Sequence, residues 1–163
     1  MTRTGIARLR TLACIACLIA PPLLRAQVTC NGMIFTNGFE LPLPASVLIN
    51  EIASNPVDWV ELYNPGNADI DVGGWSISDN DDTHVEILPE GTVIPMRCYL
   101  TYYVSLFGLG SADSARLRDP GSQLLDAYTW STHPTASYSR CPNGSGPFAN
   151  AATATPGAAN SCP

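Results

Sequence analysis

Beyond residue 46 apolar and polar positions alternate along most of the chain with a period of two, the signature of half-buried strands. Residues 47–79, VLINEIASNPVDWVELYNPGNADIDVGGWSISD, hold three such runs, rich in β-branched and aromatic residues. Turn signals cut them apart at Asn55-Pro56, Asn64-Pro65-Gly66-Asn67 and Gly73-Gly74. In 58–64, Val60 and Leu62 take one face while Trp59, Glu61 and Tyr63 take the other. Shorter runs follow at 74–79 and 84–88. In 97–104, Cys98, Leu100, Tyr102 and Val104 are expected to face inward, and Arg97, Tyr99, Thr101 and Tyr103 outward. Further runs fall at 114–118, 123–131 and 136–141, with Asp119-Pro120-Gly121-Ser122 as the sharpest hairpin connection. No helical periodicity longer than a turn or two follows residue 26. Strands spaced this way predict an all-β antiparallel sandwich.

The first 26 residues follow another rule. Arg3, Arg8 and Arg10 precede an apolar stretch from Thr11 to Leu24, and Ala26 offers a small residue for cleavage. This pattern predicts a secretory signal peptide rather than a membrane span. The apolar run before Cys14 or Cys17 is too short for a lipoprotein leader. Residues 27–45 read as a lead-in interrupted by Pro42 and Pro44, and 46–163 as one domain with a Gly/Ala/Pro-rich tail. No second apolar run of membrane length is present.

Loss of the leader would sharpen the charge. The whole chain carries 8 arginines, no lysine and 14 carboxylates. Four arginines lie in the leader, so the exported chain would carry 4 − 14 = −10. Such a surface repels phosphate backbones and anionic membranes, which argues against nucleic acid as a partner. An extracellular protein or glycan suits it better.

Cys30, Cys98, Cys141 and Cys162 remain after the leader. An even count in an exported chain predicts two disulfides with three possible connectivities. Pairing Cys141 with Cys162 would tie the tail to the last strand and contribute on the order of 3 kcal/mol. Cys30 and Cys98 would then form the remaining pair.

Several blocks together are similar to the lamin-tail domain family, its bacterial secreted branch in particular. They are Ile49-Asn50-Glu51-Ile52, Asp58 to Gly66 (DWVELYNPG), and Gly74-Trp75-Ser76-Ile77-Ser78-Asp79. The segments 112–117 and 125–130 and the ending Thr155-Pro156-Gly157-Ala158-Ala159-Asn160 extend the likeness over about residues 46–163. The resemblance implies an immunoglobulin-like sandwich, favours the Cys141–Cys162 pairing and carries no agreed catalytic site. Bacterial modules of this kind accompany extracellular hydrolases or nucleases. With no heptad rod ahead of the domain and no prenylation box at its end, nuclear roles do not carry over.

Candidate chemistry is sparse. Glu51 and Glu61 lie on strands that could be neighbours, and paired carboxylates across a cleft can hydrolyse glycosides. Asp79, Asp81 and Asp82 are the densest oxygen cluster and suggest a Ca²⁺ loop. His84 stands where an EF-hand needs glycine, so any such site would be of another type. The bland alternative is a solvated turn. His84 and His133 match neither HExxH nor a GxSxG context. Trp59, Trp75 and Trp130 could stack on a sugar or fill the core, Trp75 being expected in the core, and Tyr99 and Tyr103 are the better candidates for a binding surface. The expected role is non-catalytic interaction or adhesion outside the cell. An accessory domain beside a secreted hydrolase, with Ca²⁺ holding a loop, is the second reading. A small carboxylate-dependent hydrolase is the third.

Overall fold

The computed structural model describes residues 25–30 and 47–162. The expected leader, but for its last two residues, and the lead-in from 31 onward lie outside the described residues. Within them, twelve strands form: β1 (Ala26–Cys30), β2 (Leu48–Ser54), β3 (Asp58–Tyr63), β4 (Ile70–Asp71), β5 (Ser76–Ser78), β6 (Val85–Ile87), β7 (Val93–Ile94), β8 (Cys98–Tyr103), β9 (Asp113–Arg118), β10 (Leu124–Trp130), β11 (Ser137–Arg140) and β12 (Phe148–Ala151).

A six-stranded sheet runs β1-β8-β3-β2-β11-β12, and a four-stranded sheet runs β10-β9-β5-β6. A small β4-β7 ribbon completes the fold. Every pairing is antiparallel. The result is an immunoglobulin-like β-sandwich. Alternation along each strand sends Ile49, Ile52, Val60, Leu62 and Leu100 from one sheet against Ile77, Ala115, Leu117 and Trp130 from the other, all buried. Burying such side chains is worth about 2 kcal/mol each, the dominant favourable term here. Trp75 is half-buried against this core.

Three local features depart from simple alternation. Residues 26–30, the end of the leader and start of the lead-in by sequence, form an edge strand; Cys30 opposes Cys98 across it, and the two are joined as a disulfide. The low-complexity tail holds a strand of its own, β12, on the far edge of the same sheet. Third, Ile49 pairs with Leu62 and Glu51 with Glu61, so Asn50 is the extra residue of a β-bulge. A second irregularity between Leu124 and Asp126 puts Leu124 opposite outward-facing Arg118, whereas Asp126 pairs with inward-facing Leu117.

Candidate functional site

The outer face of the six-stranded sheet carries most of the candidate residues, because they occupy the polar half of its alternation. Glu51 and Glu61 oppose one another there, with Thr101 and Ser139 beside them in register. Yet both glutamates are fully buried. The cause is the tail. After β12 the chain turns back across this face, and Cys141 and Cys162 are joined as a disulfide that closes the segment. Thr155 donates to Glu51 through its amide (3.0 Å) and its hydroxyl (2.8 Å), and Ser137 and Ser139 donate to the same carboxylate. Gly157 donates its amide to Glu61 at 2.5 Å, with Asn50 and Thr101 supplying further donors. Gly157 has φ +78°, and a Cβ there would stand 2.5 Å from the Thr29 hydroxyl. Only glycine lets the tail lie this close to the sheet.

Burial pushes the Glu61 carboxyl up to about 7, opposed by the Gly157 and Asn50 donors and reinforced by Glu51. The pair therefore has the raised carboxyl that hydrolysis uses, but both side chains are shut off from solvent. Each oxygen accepts from the protein's own donors: main-chain amides, hydroxyls and, for one Glu61 oxygen, the Asn50 side-chain amide. The arrangement gives the third reading, a carboxylate pair flanking a substrate, no support: this pair anchors the tail.

The bulge residue completes the anchor. The Asn50 side-chain amide donates to Glu61, to Asn143 and to Asn160, and its carbonyl oxygen accepts the Gly144 amide at 3.0 Å. Asn160 returns two bonds, to the carbonyls of Asn50 (3.0 Å) and Arg140 (2.9 Å). From the core side, Asp126 accepts the Ile49 amide at 2.9 Å, while Arg140 donates to the Ile49 carbonyl at 2.7 Å. Asp126 and Arg140 are themselves paired through both carboxylate oxygens at 2.8 Å, and the guanidinium lies 4.5 Å over the Phe148 ring. The main-chain groups that the bulge strands at Ile49 and Asn50 are thus satisfied by three side chains far away in sequence.

The two surface tyrosines are separated by the same tail. Tyr99 does lie on the outer face, but it is buried, stacked on Tyr63 at 4.6 Å and bonded to Asn143 at 3.0 Å. Burial pushes its phenol up to about 12. It is not a surface residue, because residues 142–162 cover it. Tyr103 is half-buried and lines a shallow groove of about 450 Å³ at the end of this face, with Ala53, Val57, Trp59, Ala136 and Ala154. Trp59 stands on the outer face beside Tyr103, the side its alternation with Val60 and Leu62 assigns. The groove has no charged side chain in its lining. It can accept an apolar or ring-shaped group but has nothing to transfer a proton.

The carboxylates of the acidic hairpin each have a partner within the protein. Asp79 is buried and takes the Asp81 amide (2.7 Å) and the His84 imidazole (2.8 Å). Asp81 accepts from both the amide and hydroxyl of Thr83. Asp82 pairs with Arg116 at 2.9 Å. Glu86, next along, turns to the interior and takes the amides of Ser105 and Leu106. Each carboxylate is drawn to its own turn or strand, and among the described residues no three His, Cys, Asp or Glu converge to hold a metal. Asp79, Asp81 and Asp82 thus sit in a turn held by Asx bonds and an ion pair, the bland alternative the sequence offered. The bond to Asp79 holds the His84 imidazole above its ordinary value, and its ring stacks on Phe107 at 5.6 Å. His133 bonds Ser54 at 2.9 Å. Neither histidine is bonded to a hydroxyl within a triad.

Sequence reasoning placed Glu51, Glu61, Tyr99 and Tyr103 on the right strands and faces. It missed Asn50, Asn143, Asn160, Asp126 and Arg140. Two apolar-flanked glutamates facing a tail rich in small residues were the available signal for a covered face.

A family model described as Lamin Tail Domain matches residues 42–132. The chain belongs to the lamin tail domain family. That match covers the paired strands β2 and β3 and the whole four-stranded sheet of this lamin tail domain, and stops before β11 and the tail. No curated protein matches it. Among solved structures, the chain is similar to the archaellum periplasmic stator protein complex FlaF and FlaG from Sulfolobus acidocaldarius, at 11% identity and TM-score 0.35 over 61% of this chain and 99% of that one. It is also similar to the archaellum periplasmic stator protein FlaG from the same organism, at 11% and 0.35 over 52% and 98%. Likeness at that level carries no argument about this chain. Among the described residues, no helix is long and apolar enough to cross a membrane.

Proposed function

We propose that this chain is an exported, non-catalytic lamin-tail protein of the family's bacterial secreted branch, an interaction or adhesion module of the periplasm or extracellular space. One observation carries the reading: the acid pair that could have run hydrolysis is sealed under the tail and fully occupied by the protein's own donors. The two disulfides suit an oxidising compartment. The Trp59–Tyr103 groove is the natural contact for an extracellular glycan or an apolar peptide side chain, since aromatic walls supply contact area at little entropic cost.

Two measurements test it. Titration of ¹⁵N-labelled protein with soluble oligosaccharides and with an apolar peptide is expected to shift Ala53, Trp59 and Tyr103, and Tyr103→Ala to abolish the shifts. Hydrolysis of a chromogenic glycoside that disappears in Glu51→Gln, with the fold retained, would overturn the non-catalytic reading.

A further inference from the structure

The two sheets differ in what covers their outer faces. The tail lies over the six-stranded sheet, whereas the outer face of the four-stranded sheet carries aliphatic side chains exposed among the described residues. Its outward positions follow from the register: Leu124 opposes Arg118, which opposes Ser76, which opposes Ile87; Ala127 opposes Arg116, Ser78 and Val85 in the same way. Cross-strand partners share a face, so these residues form one surface. Ile87 is 65% exposed, Leu124 48% and Val85 38%.

The charge of this surface is the reverse of the rest of the chain. None of the 14 carboxylates occupies an outward position on the four strands, while two of the 8 arginines do. Arg116 and Arg118 stand two residues apart on β9, pointing the same way about 7 Å apart along the strand. Their present contacts are weak. Arg116 reaches Asp82, whose side chain is 84% exposed, and Arg118 reaches the Ser122 carbonyl at 3.3 Å. A surface ion pair of that kind is worth about 0–1 kcal/mol and is readily exchanged for a partner's carboxylate.

The face carries no aromatic side chain, so it offers no platform for stacking a sugar ring. Exposed aliphatics flanking two guanidinium groups suit carboxylates set in an apolar protein surface. A second copy docked two-fold on the same face would set arginine against arginine.

We propose that the outer face of β10-β9-β5-β6 is a docking surface for an acidic protein partner, gripped by Arg116 and Arg118 and buried against Val85, Ile87 and Leu124. The proposal rests on the reading of the chain as a binding module, but on a different sheet from the Tyr103 groove, so the two fail separately.

The test is an NMR titration of the full, disulfide-bonded protein with a synthetic extended peptide alternating glutamate and valine. A lysine–valine peptide, polygalacturonate and anionic phosphatidylglycerol vesicles serve as comparison probes. The expected result is shifts confined to residues 76–78, 85–87, 113–118 and 124–127 with the acidic peptide. Binding should weaken about tenfold in R116E/R118E, with the melting curve unchanged, and remain intact in Tyr103→Ala. If R116E/R118E is misfolded, Ile87→Ser serves as the second variant, with the same loss expected. No shift with the acidic peptide, equal binding by the lysine peptide, stronger binding by polygalacturonate or vesicles, or concentration-dependent self-association through this face would each overturn it.

Discussion

Glu51 and Glu61 face each other across two adjacent strands, both fully enclosed, and no cation is bonded to either among the described residues. Their charge is balanced by donors, three of them from Thr155 and Gly157 of the tail. The folded-state pKa of Glu61, about 7, lies above the ordinary value of 4.5. The folded protein thus holds this proton more tightly than the unfolded chain. The resulting stabilisation is complete below pH 4.5 and is lost as pH rises through 7, by roughly 3 kcal/mol at most. Glu61→Gln should flatten the pH dependence of stability between these limits, read from urea unfolding at several pH values. His84, also raised, works in the same direction, so His84→Gln in parallel separates the two contributions.

Asn160 fastens the end of the tail to the bulge. Asn160→Ala removes its bonds to the Asn50 and Arg140 carbonyls and leaves both acceptors short of a donor. The expected loss is about 2–3 kcal/mol of unfolding free energy. Asn160→Asp should cost more, because it also sets a third carboxylate beside Asn50 and Glu61. Equilibrium denaturation of the three proteins checks the order.

Asp126 and Arg140 join the two sheets at the same bulge. Both are mostly buried, with side-chain exposures of 16% and 18%. Asp126→Asn keeps the shape but strands the guanidinium, and is expected to destabilise by about 3 kcal/mol in urea unfolding. Replacing both, with Asp126→Leu and Arg140→Met, should cost less than the sum of the single changes.

Calcium should leave the protein unmoved. The carboxylates of Asp79, Asp81 and Asp82 are each committed to a separate partner. The melting temperature measured by circular dichroism is expected to be the same in millimolar CaCl₂ and in EDTA.

Much of the fold is legible in the alternation of 58–64, 97–104 and 113–130, because a period of two assigns faces without further information. What covers a face is not written there. Tyr99 sits on the side the pattern assigned, yet it is buried, because the segment over it is far away in sequence and contacts it mainly through small residues and asparagines. The strand Phe148–Ala151 was hidden for a related reason: Ala and Asn have low strand propensity, and β12 forms only because the edge of β11 offers its main-chain groups. The Asn50 bulge leaves no local mark. Its glutamate neighbour reads equally well as catalytic or structural until the tail is in place, and the Asp-rich hairpin reads equally well as a metal loop until each carboxylate's partner is known.

The central claim is that the tail is docked on the Glu51–Glu61 pair and closes that face. Amide hydrogen exchange at Thr155 and Gly157, resolved by NMR in the oxidised protein, tests it most directly. Protection of both amides comparable to β2 and β3, falling when Glu51 and Glu61 are replaced by alanine, is the predicted result. Exchange of both at the rate of an unstructured chain would contradict it, leaving the acid pair open to solvent.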